Sequence, residues 1–228
     1  MTQKIPQDVQ INHNALSWGG ISGILAFFAW IISLPVYGKV DPFIAGGLLN
    51  FPYGQRLLTI STLLCMSTAF FSMWLFITLF RVLSRTSSNL ALYGTVSCII
   101  GLVGIALQDA STYFAFVPLS RLYHSSTALP QTQAIVTILW DTTQGITYTF
   151  TFVGSLFLMV GFIVLGLAMK DAPEFGPQYG CTTIIIGVVG CLGVSFSLVV
   201  FETIGTMFLA DLIFLLLIGR KLYVLSHV

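Results

Sequence analysis

Charge is what this chain has least of. Only 7% of its 228 residues are Asp, Glu, Lys or Arg, against about 25% in an ordinary soluble domain, and so few charges cannot cover a water-facing surface. Nine Lys and Arg against eight Asp and Glu leave a formal charge of +1, so there is neither a basic field for nucleic acid nor an acidic tail. Histidine is scarce as well. The three present, His13, His124 and His227, fall outside every long apolar run, and the paired axial ligands of an intramembrane haem are therefore missing. The four cysteines, Cys65, Cys98, Cys181 and Cys191, show no C-x-x-C spacing. We read them as small buried hydrophobes rather than a redox pair or a metal site.

Further absences narrow the chemistry. No lysine lies inside an apolar run, which excludes a retinal Schiff base. The phosphate-cradling G-x-x-x-x-G-K-[ST] and the zinc-binding H-E-x-x-H are both missing, and so are a helix-borne His beside a Ser and an arginine-rich voltage-sensing helix. The sequence therefore implies no metal and no cofactor, and it leaves the catalytic residues unknown. What remains is a protein that binds, transports, senses or scaffolds, or an enzyme working through carboxylates; the balance is against an enzyme.

Apolar sequence is what the chain has in abundance: 56% of its residues are hydrophobic and the mean hydropathy is +0.94. The apolar runs repeat throughout and leave no room for a separate soluble domain, so 1–228 reads as one transmembrane domain. Crossing a hydrocarbon core of about 30 Å takes roughly 20 helical residues. Six spans are expected on that basis, at about 15–37, 57–80, 89–117, 146–169, 179–200 and 205–222. The last two divide one long run, 179–222, at the polar cluster Glu202, Thr203, Gly205 and Thr206; one helix followed by a re-entrant segment is the alternative. Runs such as 98–107 and 156–167 show none of the polar–apolar alternation of a barrel strand, so the expectation is an all-α polytopic helical bundle.

Lys and Arg in short loops stay on the cytoplasmic side. With six spans, Lys4, Arg81, Arg85, Lys170, Arg220 and Lys221 share one side with both termini, against Lys39, Arg56 and Arg121 on the other. Both termini are therefore expected in the cytoplasm. The polar stretch 1–14 precedes an apolar run too long for a signal-peptide core, and we read that run as an uncleaved first span. No lipidation box follows the initiator Met.

An ionisable group in lipid costs about 2.5 to 3.5 kcal/mol even on the permissive insertion scale, so each intramembrane carboxylate needs a reason. Asp109 lies near the outer end of the third span in Leu107-Gln108-Asp109-Ala110-Ser111-Thr112-Tyr113, where Tyr113 follows at i, i+4. Asp141, Gln144 and Tyr148 fall at i, i+3, i+7 ahead of and within the fourth. With Glu202 these groups converge on the outer side, beneath the loop holding Arg121, Tyr123 and His124, and suggest a polar cavity that opens outward. The bland alternative makes Asp141 a helix cap, Glu202 a headgroup residue, and Trp140, Tyr113, Tyr123 and Tyr148 an aromatic belt. Asp211 lies deeper, about nine residues or roughly 13 Å beyond Glu202. It reads either as a hydrogen-bonding carboxyl that holds the bundle together or as a proton- or cation-binding one.

Small residues mark close helix approaches: Gly19 and Gly23, Gly101 and Gly104, Gly154 and Gly161, and Gly187, Gly190 and Gly193. Such faces can serve inside the bundle, in a homo-oligomer or against other membrane subunits. Loop one, 39–55, is rich in Gly and Pro and is expected to fold back on the outer surface. In loop three, 131–140 is expected as a short interfacial helix behind Pro130.

The long outer loop after the third helix, the stretch 154–170 ending in a charged turn with Pro173 and Pro177, the Gly-rich fifth helix and a carboxylate shortly before Gly219-Arg220-Lys221 are similar to one known group. This pattern resembles a family of bacterial six-helix integral membrane proteins catalogued only as a domain of unknown function. The resemblance covers nearly the whole chain. It implies a multi-pass protein of the bacterial cytoplasmic (inner) membrane and supplies no activity. The function expected from the residues is binding or transport of a small molecule, with Asp109, Tyr113, Asp141, Gln144, Tyr148 and Asp211 as the ligand-binding positions. The alternatives are a non-catalytic subunit or assembly factor and, third, a carboxylate-based lipid enzyme.

Overall fold

A backbone surrounded by lipid must close its hydrogen bonds within each segment, and the apolar runs do so as helices. The computed structural model describes residues 13–40, 48, 51, 56–125, 129–199 and 204–227. All regular structure among the described residues is helical: α1 (His13–Val40), α2 (Arg56–Ser111), a π turn (Thr112–Phe116), α3 (Val117–Tyr123), α4 (Pro130–Lys170), α5 (Gly176–Phe196) and α6 (Ile204–Leu225). Four helical stretches among them are long and apolar enough to cross a membrane: His13–Pro35, Thr59–Tyr123, Pro130–Lys170 and Gly176–Phe196.

The second of these stretches runs to 65 residues, far beyond one crossing, and Ser87 resolves the excess. Its φ of −142° and ψ of 75° lie outside the helical region. The chain folds back there, as packing against α4 demonstrates. Phe76 and Cys98 would stand roughly 33 Å apart on a straight helix, at about 1.5 Å per residue. Yet the Phe76 ring lies 6.2 Å from that of Phe162, and Cys98 Sγ lies 3.9 Å from the carbonyl of Leu158, one turn away. The two arms of α2, 56–86 and 88–111, are therefore antiparallel neighbours.

Glycine sets how closely the helices pack. A Cβ at Gly101 would stand 2.6 Å from the Leu158 nitrogen, and one at Gly154 would stand 2.9 Å from the Gly101 carbonyl oxygen, so the second arm of α2 and α4 touch backbone to backbone. The Ser97 hydroxyl crosses the same seam to the Phe157 carbonyl at 2.7 Å. Gly166 and Gly180 join α4 to α5 in the same manner, as Gly23 and Gly219 join α1 to α6. With α1 on α2 and α5 on α6 as well, the helices form a closed ring. One turn of the chain demands glycine: between α4 and α5, Gly176 has φ of 74° and returns its N–H to the Ala172 carbonyl at 2.8 Å.

The bundle has two unlike ends. One holds the Ser87 reversal, the 171–175 turn, the start of α1 and the end of α6, and we name it the turn end. Arg81, Arg85, Lys170, Arg220 and Lys221 gather there, with Lys221 Nζ 5.1 Å from the Tyr179 ring centre. At the opposite end a separate apolar cluster forms from Leu48, Phe51, Phe116, Val117, Val136 and Trp140. Phe51 packs edge-on to Trp140 at 5.3 Å, Phe116 does so at 4.7 Å, and His124 Nε2 meets the Leu48 carbonyl at 3.3 Å. We name this the cap end, and loop one folds back onto it at the described positions Leu48 and Phe51.

Two local expectations change. The interfacial helix expected at 131–140 is the first part of one continuous helix of 41 residues, long enough at about 1.5 Å per residue to outreach the hydrocarbon core and project at the cap end. Trp140 consequently faces inward at 2% exposure and anchors the cap, instead of lying in a lipid-facing belt.

Candidate functional site

Three phenylalanines cross the bundle interior at one level. Phe162 of α4 and Phe214 of α6 stack with ring centres 3.9 Å apart and planes 10° from parallel, and Phe76 of α2 packs on Phe214 at 5.8 Å. All three are fully buried. Toward the turn end the buried interior is nearly all aliphatic, including Leu79, Leu83, Leu165, Met169, Ile218 and Leu222. Two of the hydroxyls that do occur there find partners: Thr78 bonds the Trp74 carbonyl and Thr183 reaches Met169 Sδ.

Toward the cap end the interior changes character. Thr147, Thr151 and Ser155 follow at i, i+4, i+8 on the inward face of α4, and Ser61, Thr68 and Ser72 follow at i, i+7, i+11 on the first arm of α2; all six are buried. The second arm contributes Gln108 and Asp109, at 4% and 6% exposure, and α6 contributes Asp211 at 9%. Across the upper part, Ser111 Oγ and Thr147 Oγ1 are 3.0 Å apart, and the Tyr148 hydroxyl donates to the Ser197 carbonyl at 3.1 Å. A polar half thus lies between the phenylalanine stack and the aromatic cap.

The positions expected from the sequence separate into inner and outer sets. Asp109 and Asp211 are interior, both on inward helix faces. Tyr113 is 40% exposed because the wider π turn that starts at Thr112 rotates it off the Asp109 face, and it packs instead against Phe114. Asp141 is exposed, Gln144 and Tyr148 are half-buried, and Tyr148 bridges to Ser197 at the end of α5. Since α4 begins at Pro130, Asp141 lies well inside the helix and caps nothing. Glu202 lies outside the described residues.

Asp109 and Asp211 occupy different depths. Contacts at Gly190 with Met159 and Ala210, and the Cys98 bond to Leu158, place Cys98, Met159 and Asp211 in one layer. Asp109 is eleven residues beyond Cys98, so it stands roughly 16 Å nearer the cap. That separation denies the two carboxyls a shared reacting atom. Sequence reasoning missed the hydroxyl stripes and the phenylalanine stack. The i, i+4, i+8 spacing of Thr147, Thr151 and Ser155 inside an apolar run was a readable signal for the first, whereas the stack joins three distant segments.

Every expected glycine notch that the structure describes packs within the chain, Gly19, Gly23, Gly101, Gly154, Gly161, Gly187, Gly190 and Gly193 all being buried and Gly104 meeting Gly154. Among the described residues no group of three or more His, Cys, Asp or Glu is positioned to hold a metal. No protein-family model, curated protein or solved structure matches this chain.

Proposed function

We propose that this chain is a multi-pass integral membrane protein of six spans, both termini cytoplasmic, that binds or transports a small molecule through a polar chamber opening to the outer face. Two helical stretches beyond the simple count support six. The 65-residue stretch reverses at Ser87, and α6 has crossing length at 22 residues although Asp211, Arg220 and Lys221 lower its hydropathy. The cluster of basic residues at the turn end supports a cytoplasmic placement of that end.

The observation that carries the reading is the segregation of buried polar groups. A bundle needing only cohesion gains nothing from collecting Asp109, Asp211 and the hydroxyl stripes in one half, since polar groups in lipid are expensive. The phenylalanine stack closes this half toward the cytoplasm, and the Phe51–Phe116–Trp140 cap covers its outer opening. Transport would need each aromatic layer to yield in turn. A docking subunit has less support, because the glycine faces that would receive a partner are occupied by the chain's own helices. A carboxylate enzyme has less support because its two buried acids stand far apart.

Substituted cysteines test the chamber. In a background free of the four native cysteines, Thr151→Cys should react with an impermeant thiol reagent added outside, faster still when Phe51→Ala weakens the cap, while Leu165→Cys beyond the stack stays silent. No reaction at Thr151→Cys with the cap weakened overturns the chamber.

A further inference from the structure

Serine and threonine in an apolar helix return their hydroxyls to carbonyls three or four residues back. Ser22, Ser33, Thr68, Thr78, Thr151 and Ser197 do so here. Ser72 and Ser155 do not. They are 1% and 0% exposed, and their hydroxyl oxygens have no hydrogen-bond partner among the described residues. Ser72 stands four residues toward the cap from Phe76, and Ser155 seven from Phe162, on inward faces of different helices. Thr95, also unpartnered, lies lower, at the level of the stack.

Asp211 enters the same region from α6. It is three residues toward the cap from Phe214, about 4.5 Å along the helix, and 9% exposed. Among the described residues nothing hydrogen-bonds to its carboxyl, and the Cys98 thiol of the second arm of α2 lies within electrostatic reach. Every described Lys, Arg and His side chain sits near an end of the bundle, exposed or half-buried. Among the described residues no cationic side chain balances a carboxylate in this position, and two hydroxyls with free lone pairs lie above the same floor.

We propose that Asp211, with the hydroxyls of Ser72 and Ser155, forms a site for a small alkali-metal cation at the base of the polar chamber. The inference rests on the chamber reading and names its ion. Hard, singly charged cations take oxygen donors, and one carboxylate matches one charge. Soft or transition metals prefer thiolate and imidazole clusters, which the interior lacks among the described residues. The phenylalanine stack makes the cap side the route of access, so the ion and any co-transported molecule share one chamber.

Purified protein in mild detergent decides this through thermal unfolding in sodium chloride against choline chloride at equal ionic strength. Sodium should raise Tm by several degrees and the shift should saturate with concentration, as binding to the folded state requires. Asp211→Asn and Ser72→Ala should lose the shift while melting near the wild type in choline, and Asp109→Asn should keep it. Should Asp211→Asn fail to fold, Ser72→Ala and Ser155→Ala bear the test. Identical wild-type melting in both salts, as a buried water cluster at these hydroxyls would give, overturns the proposal, and so does a sodium shift that survives in the variants. Outside labelling of Thr151→Cys reports the chamber whether or not sodium binds, so the failure of one reading is distinguishable from the failure of the other.

Discussion

Replacing Phe214 with alanine separates the two energetic contributions that a buried aromatic makes. In water-soluble proteins Phe→Ala costs about 3 to 5 kcal/mol, the sum of lost transfer free energy and a residual cavity. Within a bilayer the transfer part largely falls away, because a separated helix would place the same ring in lipid tails as apolar as the core. The cavity part persists. Removing a benzyl group vacates roughly 100 Å³, which at about 24 cal/mol per Å³ comes to about 2.4 kcal/mol. Phe214 is fully buried between Phe162 at 3.9 Å and Phe76 at 5.8 Å, so little can collapse into the space, and lost ring contacts add about 0.5 to 1.5 kcal/mol. Phe214→Ala should therefore destabilise the folded bundle by about 3 kcal/mol, and Phe214→Leu by less than half of that. Phe70, 65% exposed on the outer face of α2, is the matched control, and Phe70→Ala should be close to neutral. Reversible unfolding of the variants in mixed micelles measures all three. A Phe214→Ala cost no larger than that of Phe70→Ala would refute the interlocked stack as the packing centre. The same variant should also leak small solutes in liposomes, since its cavity joins the polar half to the turn end.

Topology can be read independently: cysteines substituted at His124 should react with an impermeant thiol reagent from outside intact cells, whereas those at Arg85 and Asp171 should react only after permeabilisation, and the reverse pattern would invert the orientation. Gly101→Val should push α2 from α4 at the seam where a Cβ would meet the Leu158 nitrogen at 2.6 Å, costing about 1 to 3 kcal/mol as overpacking does; Gly145→Ala, with nothing within 4 Å, should stabilise α4 by about 0.5 to 1 kcal/mol, and equal unfolding midpoints for the two variants would contradict the close contact. Trp140→Ala should release the cap, seen as faster proteolysis near Phe51 and faster outside labelling of Thr151→Cys with the rest of the bundle still folded.

Helicity and helices apolar enough to cross a membrane were legible in the sequence because both depend on local composition: long uncharged apolar runs and no strand alternation. The glycine notches were legible as close approaches, because only a side chain of hydrogen lets two backbones touch. Which approaches they serve was not. Gly101 meets Leu158 and Gly23 meets Gly219 across sequence separations that no local pattern encodes, so whether these faces turn inward or toward another subunit depended on tertiary packing. Asp109 and Asp211 could be singled out from the cost of a carboxyl in lipid, while Tyr113 could not be placed, because the π turn at Thr112 changes the helical register that an i, i+4 rule assumes. Trp140 was misplaced for a similar reason: a belt position and a cap position have the same local sequence, and the arrival of Phe51 from loop one distinguishes them. The division of the interior into an aliphatic half and a polar half was decided by tertiary structure alone. Three phenylalanines from α2, α4 and α6 come to one level only after the chain has reversed at Ser87 and closed its ring, and side-chain chemistry in one helix does not specify the depth at which another helix will meet it.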